Sequence, residues 1–176
     1  MSATDTALRS VMDQAVKACT AEVDAGGLPF VGVVATQAGQ VLSGFGTNQV
    51  AETGDPTAHA EVVAMREAMT THGLDRLTGK ILLATGEPCG LCYRYATDHG
   101  IEAIYVAADR DEVAAYGFDY RTSYPAFGIT DTQRHELFRS LPVEPAAEPF
   151  TRYLTLHASG RAFAAPATVS KGTPSS

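Results

Sequence analysis

From Thr6 to Val23 the apolar residues Leu8, Val11, Met12, Ala15, Cys19 and Val23 recur at three- and four-residue intervals, which places them on one face of a helix. Gly26-Gly27 ends it. The period then changes. Phe30 to Thr36 is short, rich in Val and bounded by Pro29 and Gly39, so it reads as a strand, with Gln40 to Thr47 as its hairpin partner. Thr47 to Thr57 contains Asn48, Gly54, Asp55 and Pro56 and little apolar content, the composition of a loop leading into a second helix from Ala58 to about His72. Lys80 to Thr85 is the continuous apolar run of a buried strand. Cys89 to His99 reads as a third helix entered through Pro88, and Ile101 to Ala107 as another buried strand.

Beyond Asp111 the pattern weakens. It suggests a short helical piece over Asp111 to Tyr116, an aromatic loop from Phe118 to Phe127, and helices over Thr130 to Ser140 and Pro149 to Ser159. Ala164 to Ser176 is rich in small residues, Pro and Ser without apolar periodicity, and is expected to be disordered. Strands alternating with helices after an initial hairpin predict an α/β protein, a three-layer α/β/α sandwich around a mixed, mostly parallel sheet. A chain of 176 residues has the size of one domain, expected over 1–163 with 164–176 as a tail.

Composition narrows the class. With 45% hydrophobic and 19% charged residues, the chain is an ordinary globular one, and no apolar run approaches the ~20 residues of a membrane span. Met1-Ser2-Ala3-Thr4-Asp5 has neither the basic stretch nor the apolar core of an export signal, so the expected address is the cytoplasm. A formal charge of -7, from 13 basic and 20 acidic residues without a Lys/Arg cluster, points away from nucleic acid and toward small neutral substrates. Three cysteines are too few for a disulfide framework. Cys19, among Ala15, Val16, Ala18 and Val23, reads as a small core residue.

The chemistry lies in His59-Ala60-Glu61 and Pro88-Cys89-Gly90-Leu91-Cys92. One imidazole and two thiolates can hold Zn²⁺ at three corners of a tetrahedron, leaving the fourth for water. Cys89 and Cys92, three apart on a helix, share a face and sit at its N-terminus, where free N–H groups favour thiolate. Two thiolates and a neutral imidazole cancel the ion's charge, so the water needs a base. Glu61 is placed to take its proton and hand protons to a ring nitrogen and a leaving amine. C-x-x-C alone also suits a redox pair or half of a structural zinc site. A structural site needs a fourth protein ligand, and Cys19, His72, His99, His135 and His157 show no ligand spacing with the other three. His72 and His99 fall at predicted helix ends, and His135 and His157 in polar surroundings that suggest solvation. H-x-E followed by P-C-x-x-C is the signature of zinc-dependent nucleobase deaminases.

Through Asp55-Pro56-Thr57-Ala58-His59-Ala60-Glu61-Val62, Glu87-Pro88-Cys89 and Gly117-Phe118-Asp119, the chain resembles the cytidine-deaminase-like superfamily over roughly residues 5 to 160. Within it, the guanine deaminase branch is the nearer. The resemblance implies a five-stranded sheet between helices, zinc at the helix starts, and a homodimer whose C-terminal segment is exchanged between subunits. It implies His59, Cys89 and Cys92 as ligands, Glu61 as proton shuttle, and Asn48, Phe30, Ala60, Asp119 and Tyr120 at the substrate. Taken alone, an Asn in a loop is often a turn former and a Phe opening a strand is often core.

The implied reaction is hydrolytic deamination of a free nucleobase or related amino-heterocycle, with guanine, giving xanthine and ammonia, as the leading substrate. A nucleoside (guanosine or cytidine) or an aminotriazine is the alternative. A tRNA adenosine deaminase shares the zinc motifs, but acidity disfavours it. Three positions depart from the guanine branch: Tyr120 stands where a second acid follows Gly-Phe-Asp, Val31 where a small residue follows Pro-Phe, and nothing aromatic follows Phe163.

Overall fold

The amphipathic first segment becomes α1 (Ala3–Asp24), opened by a reciprocal capping box between Ser2 and Asp5. The computed structural model describes residues 1–158. After α1 come β1 (Val31–Thr36), β2 (Gly46–Thr47), α2 (Val50–Thr53), α3 (Ala60–His72), β3 (Lys80–Gly86) and α4 (Gly90–Asp98). They are followed by β4 (Ala103–Ala108), α5 (Arg110–Ala115), α6 (Ser123–Ala126), α7 (Asp131–Leu137), β5 (Phe138–Ser140), a 3-10 turn over Glu144–Ala147 and α8 (Glu148–His157).

The strands form one sheet in the order β2-β1-β3-β4-β5. β1 is antiparallel to both neighbours, whereas β3, β4 and β5 are mutually parallel, so every strand but β1 runs the same way. Val31, Val33, Ala35, Ile81 and Leu83 pack in one cluster with α1, while Val34, Leu82, Ile104 and Val106 pack in another with α3 and α4. Helices cover both faces, which is why β3 reads as an unbroken apolar run and not as an alternation. α8 packs against α1 and sends Phe150 and Tyr153 into the cluster that holds α3 and α4. This is the expected three-layer α/β/α sandwich. No described helix is long and apolar enough to cross a membrane.

Four expectations need correction, the first being the aromatic loop from Phe118 to Phe127, which contains the single helical turn α6. Gln40 to Thr47 is not a full hairpin strand: Gly46–Thr47 pairs with β1, and Val41 adds a single bridge to Ala35. Ser43 Oγ accepts the Val34 amide at 2.9 Å, so a side chain takes the place of a ladder bond. The expected loop from Thr47 to Thr57 contains α2, one helical turn closed by Gly54 at φ 69°. Thr130 to Ser140 is not one helix either. Its capping box, Thr130 with Gln133, starts α7, but after Leu137 the chain extends as β5 and pairs with the edge of β4. Satisfying that sheet edge outweighs continuing a short exposed helix. The expected tail, 164–176, and the end of the expected 1–163 domain lie outside the described residues.

Candidate active site

α3 and α4 lie on the same face of the sheet and each begins with a residue that does not cap its own helix. His59 is the N-cap of α3 and Cys89 that of α4; both are extended, and neither side chain bonds an amide of its helix. An N-cap side chain ordinarily accepts one of the first free N–H groups. Here the imidazole and the thiol turn toward each other instead. His59 Nδ1 lies 3.4 Å from Cys89 Sγ and 3.6 Å from Cys92 Sγ, and the two sulfurs are 3.8 Å apart.

That triangle fits one ion. A tetrahedral zinc with ordinary bond lengths sets its sulfurs about 3.8 Å apart and each sulfur about 3.6 Å from the nitrogen. The side chains meet those spacings to a few tenths of an ångström. Two sulfurs and an imidazole nitrogen are also the donors zinc prefers. Glu61 stands beside the triangle and is not part of it, with Oε2 3.5 Å from Cys92 Sγ.

Burial sets the electrostatics. It pushes the Glu61 carboxyl up to about 7, and the negative charge of Cys89 acts in the same direction. A carboxyl held near neutrality takes and returns a proton readily. The hydrogen bond from Cys92 holds the Cys89 thiol well below its usual range, with His59 adding to the effect, whereas burial and then Cys89 push Cys92 well up. The pair therefore gives up one proton more readily than two, and a divalent cation at the triangle would favour both thiolates.

Close backbone packing holds α3 in place. A Cβ at Gly32 would sit 2.8 Å from Glu61 Cα, and one at Gly46 would run into the Ala60 carbonyl oxygen. These two glycines are register partners in β1 and β2, so the sheet edge is bare where the His59-Ala60-Glu61 turn rests on it. Gly90 has the same role for α4, because a side chain there would meet the Ser123 carbonyl oxygen. The sequence analysis gives none of the three this role; for Gly32 and Gly46 the available signal is a glycine inside a strand pattern.

The other expected residues are distributed unevenly. Ala60 is buried at the first position of α3. Half-buried Phe30 stands edge-on to Phe118 at 5.4 Å, Phe150 at 5.7 Å and Tyr120 at 6.1 Å, and Gly86 leaves room for its ring. Tyr120 is buried close enough to Glu61 and Cys89 for their charges to push its hydroxyl up beyond what burial alone does, and that hydroxyl donates to the Glu87 carbonyl. Asn48 Oδ1 accepts the Val50 amide at 3.1 Å, so the residue does form a turn. The next amide, Gln49 N–H, donates to Ala58 O at 2.9 Å and ties that turn to the chain before His59. Asp119 does not join them. Its side chain is exposed and paired with Arg121 at 2.8 Å, which holds its carboxyl at about 2.

Comparison with known proteins agrees with the geometry. Residues 5–108 match the cytidine and deoxycytidylate deaminase zinc-binding region. The guanine deaminase of Bacillus subtilis (strain 168) is 32% identical over 140 residues, covering 79% of this chain and 88% of that protein. A solved structure of guanine deaminase from Bacillus subtilis superposes with a TM-score of 0.60 at 30% identity, over 82% of this chain and 91% of that one. Guanine deaminase from Nitrosomonas europaea, 23% identical over 84% of each chain with a TM-score of 0.68, shares the fold. The matched region spans more than half of the sequence and contains both helix starts that carry the donor triangle; the chain belongs to the cytidine and deoxycytidylate deaminase zinc-binding family.

Proposed function

We propose that this protein is a zinc-dependent aminohydrolase that exchanges the exocyclic amino group of a free nucleobase, guanine first, for a carbonyl oxygen, consuming water and releasing ammonia. The observation that carries the reading is the His59–Cys89–Cys92 triangle with a buried carboxyl at its side. Those three residues would hold the metal. Once bound, zinc supplies a Lewis acid that makes water nucleophilic near neutral pH.

Moving protons is the work of the chain itself. Glu61 takes the proton of the attacking water, passes it to a ring nitrogen, and serves the departing amine in the same way. Phe30 and Tyr120 offer aromatic surface to a planar ring. Asn48 commits its oxygen to Val50, which leaves its amide N–H groups for an acceptor on the base. The similarity to a guanine deaminase over most of both chains supports guanine. An excess of acidic over basic side chains counts against a polynucleotide. Residence in the reducing cytoplasm fits the unpaired state of Cys19, Cys89 and Cys92. A homodimer belongs to the same reading and rests on the family resemblance.

The test is an ammonia-release screen of zinc-loaded protein against guanine, guanosine, cytosine, adenine and aminotriazines. Guanine should turn over with kcat/KM at least about tenfold above the others, the lower end of what pocket contacts discriminate. Chelation should stop the reaction and zinc restore it. Metal-replete protein that releases ammonia from none of these rings would end the proposal.

A further inference from the structure

We propose that Glu87 is a positioning residue, which, through a buried ion pair with Arg134, fixes the turn presenting Cys89 and thereby sets how tightly the metal is held. The proposal rests on the reading of His59, Cys89 and Cys92 as zinc ligands. Glu87 lies two residues before Cys89 and is fully buried. Its Oε2 accepts Arg134 Nε at 2.6 Å and the Tyr93 hydroxyl at 2.8 Å, and its Oε1 accepts Arg134 Nη2 at 2.8 Å and the Arg110 amide at 2.9 Å. Each carboxylate oxygen thus receives two donors, and the guanidinium grips both in a fork that tolerates little rotation.

The main chain of the same turn is held from the other side. The Tyr120 hydroxyl donates to Glu87 O, and the Tyr124 hydroxyl to Pro88 O at 2.6 Å. The Gly90 amide donates to Ser123 Oγ at 2.8 Å. Tyr93 directly follows Cys92, so one carboxylate is anchored on both sides of the cysteine pair. Arg134 arrives from α7, its guanidinium 4.4 Å from the centre of the Phe138 ring. A buried ion pair is a poor source of stability compared with apolar side chains of the same volume. Direction is what it provides here. Partners behind a metal ligand fix its orientation, and removing them typically weakens binding about 10- to 100-fold.

Removing one partner alone leaves a buried charge and can prevent folding for that reason. The test therefore uses the double variant Glu87→Gln/Arg134→Met, which removes both charges and keeps the volume. Zinc affinity is measured by competition with a chromophoric chelator, and cobalt(II)-loaded protein is examined by visible absorption. The double variant should fold, bind zinc about 10- to 100-fold more weakly than the parent, show altered cobalt d–d bands, and lose kcat with KM retained. Parental zinc affinity with a parental cobalt spectrum would overturn the positioning role while leaving the zinc ligands intact. A double variant that does not fold assigns the pair to stability and overturns it equally. A parent protein that binds no zinc removes the ligand reading, and this inference with it.

Discussion

Glu61→Gln should retain one zinc per chain and release ammonia about a thousandfold more slowly than the parent, within the range that general acid–base groups contribute. The substitution keeps the volume of a side chain only 4% exposed at the start of α3, and it removes the oxygen that accepts a proton. It removes none of the three donor side chains. Metal content and turnover should therefore separate. Stability offers a second check. Burial raises the Glu61 carboxyl from 4.5 to about 7, so stability that the parent has at low pH is lost as the pH climbs through 7 and this carboxyl ionises. Gln carries no such charge. Metal-free Glu61→Gln should thus melt above the metal-free parent at pH 8, and the difference should close as the pH falls toward 4.5. Unchanged turnover in the variant would show that another group moves the proton.

Cys92→Ala should lose both metal and activity. Cys92 sits at the third position of α4, where Ala is a good helix former, and the truncation removes one buried sulfur, so the helix itself is spared. What remains is one thiolate and one imidazole. Zinc affinity should fall by more than the hundredfold typical of losing a partner behind a ligand, and ammonia release should reach background. Melting with and without zinc quantifies the effect. A ligand present at about a thousand times its dissociation constant stabilises by about 4 kcal/mol, which for a chain of this size is roughly 10 °C. The parent should show that rise and Cys92→Ala should not. An equal zinc-dependent shift in the variant would place the ion elsewhere.

The sequence carried the ends of α3 and α4 to within two residues, because a change from loop chemistry to helical period coincides there with the chemical motifs. Cys19 was legible too. It is fully buried, 3.6 Å from the Thr85 hydroxyl, and burial pushes its thiol up to about 12. β5 was not legible, since three residues with no alternation follow a helix whose cap is clear, and only the free edge of β4 makes them a strand. His157, expected in solvent, stacks on Tyr153 at 4.1 Å because both face the same side of α8.

The supports of the site were the hardest to read. Glu87 and Arg134 are 47 positions apart, a separation that no helical or strand period links, and Tyr120 gives its hydroxyl to a main-chain oxygen, which leaves no trace in composition. Asp119 lies at the surface for a local reason that spacing does not announce: an arginine two residues on pairs with its carboxylate.

Zinc K-edge X-ray absorption on the purified, zinc-loaded protein tests the central claim most directly. Two sulfurs at about 2.3 Å and two lighter neighbours at about 2.0–2.1 Å are predicted, one of the latter an imidazole nitrogen. A shell of three or four sulfurs, or one with no sulfur, would contradict it.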